Sequence, residues 1–542
     1  MRTALIRFAI LHDDAALEEW QARCLERLAA LPDVHVCLLI TLRKPAPELP
    51  RRLAGIPHVL MPRSSNDSDK GSSERDAVAQ LTSRAADFLL SFIDGPCPPI
   101  FVSVPRYGVW QFQFGDWTRY RGGPVGFWEV YDGESVSAAL LTRALPSCES
   151  VMVLRSGYFR TNLLSYTRNR AKLLGCVSSW PAQLCVDIRN DVTSRFSSSE
   201  VHGAAKVRGM PTRRQLITCW CRIAVRVLGL IWRSLFRHDQ WNVGIVEQPI
   251  AAFLRPQNQA VVKWLPSPNR SEMRADPFGI LRDGRLTILC EHLNYHENRG
   301  YIVAIDPTTA PRSVRVAIGP VPAVHMSYPY LVRGDERMLC IPETSEPQEI
   351  ALYESERFPD RWIKIANFVT GTAIVDASLF RHGKFWWIAG SEVAPKGANC
   401  ELHLWYSQSI VGPWHPHPGN PVKIDVRSAR PAGTPFIEDG VLYRPAQDCS
   451  RTYGGRVIIN RVHTLTPVAF HEEAVVAVNP DSAGPYPSGL HTLSQVGTIT
   501  LIDGKRMRFI PAEFRRTLFA NVKTVLNRCH VRPHSSPRSP ND

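Results

Sequence analysis

Asp276-Pro-Phe-Gly-Ile-Leu-Arg-Asp-Gly-Arg-Leu-Thr-Ile-Leu289 is the stretch that decides the fold of the second half of this chain. A polar residue opens a short apolar run, Asp283-Gly284 turns it, and a second apolar run follows, which is the pattern of a tight hairpin. The unit returns as Tyr328-Pro-Tyr…Gly334-Asp-Glu-Arg-Met-Leu-Cys340 and as Asp376-Ala-Ser-Leu-Phe…His382-Gly-Lys-Phe-Trp-Trp-Ile388. It returns again as Arg430-Pro-Ala…Asp439-Gly-Val-Leu-Tyr-Arg444 and Gly489-Leu-His…Asp503-Gly-Lys-Arg-Met-Arg-Phe509. Repeats at intervals of about fifty residues suit four-stranded blades, and five copies predict a closed five-bladed β-propeller over residues 241–510.

In a propeller the first strand of each blade lines the central channel, so the residues opening the repeats should share one site. Those residues are Asp276, Tyr328, Asp376, Arg430 and His491, and the second strands add Glu291, Glu343 and Gln447-Asp448. Carboxylates from separate blades meeting on one substrate suit glycoside chemistry, with one group as acid and another as base or nucleophile. Asp276, Glu343 and Asp376 are therefore the candidate catalytic residues, and Glu291, Tyr328, Arg430, Asp448 and His491 the candidate substrate-binding ones. Asp283, Asp439 and Asp503 read instead as turn caps in Asp-Gly pairs. No metal site is expected.

Working outward toward the amino terminus, Leu5–Leu11 and Val34–Leu42 read as strands around a helix over Ala15–Ala30, the β-α-β opening of an α/β doubly wound sheet. Arg63–Arg75 reads as a polar loop, Ala77–Ser91 as a helix and Ile100–Val104 as a further strand. No glycine fingerprint follows the first strand, which argues against a nicotinamide or flavin cofactor. Gly108-Val-Trp-Gln-Phe-Gln-Phe-Gly-Asp116, with Arg119-Tyr-Arg-Gly-Gly-Pro-Val-Gly-Phe-Trp-Glu-Val-Tyr-Asp-Gly-Glu134 after it, resembles the folate-dependent formyltransferase family over roughly the first third of the chain. The resemblance implies 10-formyltetrahydrofolate as cofactor and an Asn, a His and an Asp around the formyl group. Gln111 and Gln113 stand at the Asn and His positions, and glutamine cannot act as acid or base. Three readings follow for this degenerate site: a pseudoenzyme scaffold, a changed chemistry through Asp116 or Glu149, or transfer by positioning alone.

The formal net charge is +14. It is concentrated in two places: Asp191 to His238 carries nine Lys/Arg against Asp191 and Glu200, and Lys505 to Asp542 carries nine against Glu513 and Asp542, a surplus of +7 each. The organisation expected is a formyltransferase-like domain (1–190), a basic linker and helix (191–240), the propeller (241–510) and a basic, partly disordered tail (511–542). With both folded domains near neutrality and no recognition module visible, nucleic acid is not an expected partner. Arg222, Arg226, Arg233 and Arg237 share one face of a helix over Arg213–Arg237, and four charges rule out a membrane span. The helix is either a connector packed on its neighbour or a peripheral contact with an anionic membrane. Thirteen scattered cysteines without a C-x-x-C pair, and an apolar start broken by Arg7 and followed by Asp13 and Asp14, predict a cytoplasmic protein.

A second resemblance covers Trp241 to Phe509. Ser327-Tyr-Pro, Pro342-Glu-Thr-Ser-Glu346, Ser428-Ala-Arg-Pro-Ala-Gly433, Arg444-Pro-Ala-Gln-Asp-Cys-Ser450 and Tyr453-Gly-Gly455 resemble the amino-terminal domain of plant glucosamine inositolphosphorylceramide transferases. That family implies a saccharide, nucleotide-sugar or glycolipid substrate, with sugar transfer itself attributed to a different domain. Its architecture is similar to that of five-bladed glycoside hydrolases. The expectation is a formyltransferase-like transferase of glycan or glycolipid biosynthesis or modification with a sugar-binding propeller; the alternative is a non-catalytic saccharide-binding protein on a pseudo-formyltransferase scaffold. A glycoside hydrolase fits less well.

Overall fold

The computed structural model describes residues 5–509 apart from 15, 43–46, 54, 62–66, 147–149, 191–199, 203–206, 256–259, 298, 309–312, 320–323, 334–336, 345 and 394–398, and all counts below refer to the described residues. Glu149 and the tail after residue 509 lie outside them.

Phe8, Ala9, Ile10 and Leu11 alternate between two buried faces, which is why the first strand is apolar throughout. Phe8 and Ile10 pack with Leu25 and Leu184 on one face, while Ala9 and Leu11 pack with Ala77 and Leu81 on the other. The eight-stranded sheet runs His58–Leu60, Val34–Thr41, Ile6–His12, Phe88–Ser91, Val109–Phe114, Val136–Ala144, Ser150–Arg160 and Glu200–His202. Its first five strands are parallel and the rest antiparallel, with helices on both faces. This is the doubly wound domain that the sequence implied.

Two elements differ from the sequence reading. The helix expected over Ala77–Ser91 is the end of a helix Asp67–Ser83 followed by the strand Phe88–Ser91. Asp67 onward is therefore helical rather than loop. A run as short as Phe-Leu-Leu-Ser has no period of its own, so it merges with whatever apolar pattern precedes it. Ile100–Val104 is not a strand; a single helical turn, Pro99–Phe101, stands there, and the next strand is Val109–Phe114.

The second half forms five antiparallel blades around an axis. Blade I contains Glu272–Arg282, Arg285–Asn294, Arg299–Ile305 and Ser313–Arg315, and blade II Ser327–Arg333, Met338–Glu343, Glu349–Arg357 and Arg361–Thr370. Blade III is built on Ile374–His382, Phe385–Glu392, Glu401–Ser407 and His415–Pro416, and blade IV on Phe436–Glu438, Val441–Asp448, Arg456–Leu465 and Phe470–Val478. Blade V joins both ends of the region. Its inner strand Leu493–Val496 pairs with Ile499–Phe509, which pairs with Arg237–Val246, which pairs in turn with Val262–Trp264. Ring closure rests on a ladder from Arg237↔Phe509 to Val246↔Thr500.

Asp283-Gly284 and Asp439-Gly440 turn blades I and IV, with φ of 49° and 75° in the first pair and 49° and 74° in the second. Two consecutive left-handed residues match the twist of the hairpin, and Asp-Gly tolerates them. Asp503 breaks the pattern. The blade V hairpin turns at Gly497, between Val496 and Ile499, and Asp503 sits in mid-strand, fully buried.

A carboxylate-rich centre in the propeller

Asp276, Tyr328 and Asp376 hold equivalent places on the inner strands of blades I, II and III. Each interrupts the ladder at a bulge, and each has a left-handed backbone, with φ of 53°, 44° and 53°. A non-glycine residue there costs about 1–3 kcal/mol and persists only where its surroundings impose it. Two of the three peptide N–H groups freed by the bulge go to the preceding blade: Asp276 N donates to Asp503 Oδ2 at 3.2 Å, and Asp376 N to Glu343 Oε2 at 3.1 Å. Acids on second strands thus hold the left-handed aspartates of the next blade.

Two ion-paired clusters result. Arg430 Nε donates to Asp376 Oδ2, which also accepts from Gln447 Nε2 at 2.7 Å. Arg430 reaches on to Asn399 Oδ1 at 2.9 Å and the Tyr453 hydroxyl at 3.3 Å. In the second cluster His491 lies between carboxylates, with Nδ1 2.6 Å from Asp503 Oδ2 and Nε2 3.3 Å from Asp276 Oδ1. Trp241 stacks on its ring at 4.0 Å. Asp503 Oδ1 also accepts the backbone N–H groups of His491 and Thr492, and Thr492 Oγ1 donates to Asp276 at 3.0 Å.

Charge balance sets the protonation of this centre. Asp276, Glu291, Glu343, Asp376 and Asp503 outnumber Arg430 and His491, in a region with little access to water. Burial first, then Asp376, pushes Glu343 up to about 8. Burial raises Asp276 to about 6, with His491 opposing it and Asp376 and Asp503 adding to it. Glu291 is held well above the usual carboxylate range by burial and by Asp276 and Glu343. Burial alone would lower His491, but Asp503 and Asp276 overcome it and raise the imidazole. Burial and crowding by like charges thus favour the protonated form at Glu343 and Glu291, while His491 opposes that shift at Asp276, so environment separates the acids of the centre. Glu343 keeps some solvent access, as does Tyr453.

Asp276, His491 and Asp503 bring one ligand atom each within 4.8 Å, close enough for a divalent ion. Both ring nitrogens of His491 face carboxylates, however, which favours imidazolium, and imidazolium is not a metal ligand. The hydrogen bonds and ion pairs above account for the arrangement.

The remaining candidates are engaged in other contacts. Tyr328 is fully buried, and its hydroxyl bolts blades together: it accepts Gly433 N–H at 2.6 Å and lies 2.8 Å from Ser378 Oγ. Only glycine fits at position 433, where φ is 109° and an added Cβ would stand 1.9 Å from Leu493 O. Glu291 is buried 3.4 Å from His325 Nε2. Asp448 points away from its neighbour Gln447 by strand alternation and pairs with Arg456 Nε at 2.8 Å, lining a cleft of ≈ 500 Å³ between the two domains. Asp116 lines the same cleft and caps a turn by accepting Thr118 N–H and hydroxyl. Sequence reasoning missed Asp503, Thr492 and Trp241. The signal available for Asp503 was the continuous run Ile499-Thr-Leu-Ile-Asp-Gly-Lys, longer than a hairpin half.

The amino-terminal site has the opposite character. Gln111 is buried, and its side-chain amide donates to Gly95 O. Gln113 follows it on the strand Val109–Phe114. Neither group titrates, so the residues present do not fit the acid–base part of formyl transfer.

The fold and centre together define a five-bladed propeller with a buried, carboxylate-rich centre, joined to a mixed α/β sheet. Residues 260–484 match the family model described as glucosamine inositolphosphorylceramide transferase 1, N-terminal. The transferase of that name from Oryza sativa subsp. japonica is 36% identical over 157 residues, 28% of this chain and 21% of that protein, so the chain spans about a fifth of that relative's length. Among solved structures, a thermostable family-43 glycoside hydrolase is 12% identical, over 42% of this chain and 84% of its own, with a TM-score of 0.31. A phosphoribosylglycinamide formyltransferase from Anaplasma phagocytophilum is 14% identical, over 35% of this chain and 89% of its own, with a TM-score of 0.28.

Proposed function

We propose that this protein is a sugar-modifying transferase of glycolipid biosynthesis, acting in the cytoplasm or at the inner face of a membrane on a glycolipid or nucleotide-sugar held by the propeller. The observation that carries this reading is the gathering of Asp276, Glu343 and Asp376 from three blades at the inner strands, with Glu343 Oε2 accepting Asp376 N–H at 3.1 Å. Glu343 gives its proton to the leaving oxygen as the bond from the sugar carbon to that oxygen breaks, and Asp276 takes the proton of the attacking hydroxyl as the new bond forms. Asp376, fixed by Arg430 and Gln447, orients the sugar between them. The relatives' names, which refer to an inositolphosphorylceramide, support the glycolipid class.

A second reading, non-catalytic saccharide binding, draws on the same geometry, because His491 and Arg430 already hold Asp276 and Asp376 in ion pairs. One variant separates the two. Glu343→Gln should lower turnover about 100-fold or more while leaving saccharide affinity by calorimetry near wild type. Wild-type binding without turnover of glycolipid or nucleotide-sugar substrates would establish the second reading, and unchanged turnover in the variant would remove Glu343 from the chemistry. The amino-terminal domain acts as a scaffold on both readings; turnover of 10-formyltetrahydrofolate by the wild-type chain would overturn that part.

A further inference from the structure

The helix Arg213–Phe236 is amphipathic in the reverse of the usual sense. Its charged side faces protein: Arg222 donates to Tyr131 O at 2.6 Å and Arg226 to Val130 O at 2.7 Å. These carbonyls end the helix Phe127–Asp132, where cations are favoured. Cys219 and Ile223 are buried beside Phe127, Trp128 and Val130. The connector reading therefore accounts for Arg222 and Arg226, but not for the other side. Ile217, Trp220, Val225, Leu228 and Trp232 are 62–70% exposed, and at about 100° per residue they fall on one outward face.

An apolar face of this extent marks an interaction surface. By length and composition alone the segment Arg213–Trp232 is apolar enough to cross a bilayer, a span that its arginines argue against in the sequence, and only 11% of its most apolar window is buried in the protein. Docked lengthwise on the domain through Arg222 and Arg226, it lies along a surface rather than through one. Charge selects the occupant. Residues 201–238 contain eight Lys/Arg and no Asp or Glu, which complements anionic lipid. Trp220 and Trp232 stand about 18 Å apart along the helix, and tryptophan favours the headgroup region.

Beside the helix opens a cleft of ≈ 940 Å³ lined by Val225, Arg226 and Leu230 together with Arg160, Lys172 and Arg451. Glu134 also lines the cleft but is paired with Arg119. Among the described residues no carboxylate pairs with the four cations, of which Arg160, Lys172 and Arg226 donate to the backbone carbonyls of Arg451, Arg160 and Val130. Val225 belongs both to the outward face and to the cleft wall. We propose that Arg213–Phe236 is an in-plane membrane helix seated in an anionic bilayer, and that the adjoining cleft takes the phosphoryl headgroup of a lipid.

This inference stands without the saccharide chemistry, because its test reads lipid binding alone. The full chain is mixed with vesicles of phosphatidylcholine or of phosphatidylcholine with phosphatidylinositol, and bound protein is measured by flotation. Wild type should bind the anionic vesicles at least about tenfold better. Leu228→Asp, on an exposed side chain, should lose binding at least tenfold with unchanged circular dichroism. Lys172→Gln with Arg451→Gln should bring anionic binding down toward the phosphatidylcholine level, each cation contributing about fivefold. Equal flotation of L228D and wild type would overturn the helix assignment. So would a wild-type dimer in lipid-free buffer that L228D makes monomeric without any vesicle binding, since a second copy would then cover the face. Unchanged lipid preference in the double variant would overturn the cleft.

Discussion

The propeller and the amino-terminal sheet treat their polar residues in opposite ways. In the propeller, seven ionisable side chains are gathered at the inner ends of the blades, and backbone distortions at Asp276 and Asp376 keep them there. In the sheet, the polar positions Gln111 and Gln113 are neutral amides, and Gln111 is tied to a backbone carbonyl like any buried amide. A neutral amide needs only its hydrogen bonds satisfied, whereas the ionised groups of the propeller depend on one another's charge as well.

That contrast can be broken most sharply by Arg430→Met. It leaves Asp376 buried without its cation and should destabilise the propeller by about 3–5 kcal/mol in denaturant unfolding; a change under 1 kcal/mol would mean that the pair is solvated and the contrast false. The next largest effect is on pH dependence. Glu343, raised from 4.5 to about 8, binds its proton more tightly folded than unfolded, so its contribution is complete below pH 4.5 and is lost as pH climbs through 8. Asp276 behaves alike between 3.8 and about 6, and the raised His491 has the same sign, its contribution present below 6.5 and lost at higher pH. Thermal unfolding should therefore show about 3 kcal/mol more stability at pH 5 than at pH 8 from Glu343, and Glu343→Gln should flatten the profile. A profile of the same slope in the variant would place the titration elsewhere. The smallest effect belongs to the sheet. Gln111→Ala should cost about 1 kcal/mol, the value of a neutral hydrogen bond, and leave saccharide binding untouched; a change in binding would couple the two regions after all.

Much of the ring was legible because a propeller repeats its punctuation. Asp-Gly pairs need left-handed backbone, and the residue opening each inner strand is polar wherever it meets the axis. Of the carboxylate-rich centre, Asp276, Glu343 and Asp376 were legible as acids converging on the axis. Asp503 looked like one more Asp-Gly turn, and nothing local distinguishes a carboxylate that caps its own turn from one that accepts N–H groups from another blade. Asp448 failed for a simpler reason: neighbours on a strand face opposite ways, so Gln447 and Asp448 could not both reach the axis. Tyr328 shared the register of Asp276 and Asp376, yet a phenol is long enough to cross to Gly433 and be used up there.

The seam between Arg237–Val246 and Ile499–Phe509 has one further consequence. It makes residues 237 and 509 neighbours across the last rung of the ladder, so the ring has no structural beginning. The order of blades along the chain records where the gene happens to open the circle. A permuted chain that joined those two ends and opened at another hairpin would keep all five blades and the same axis.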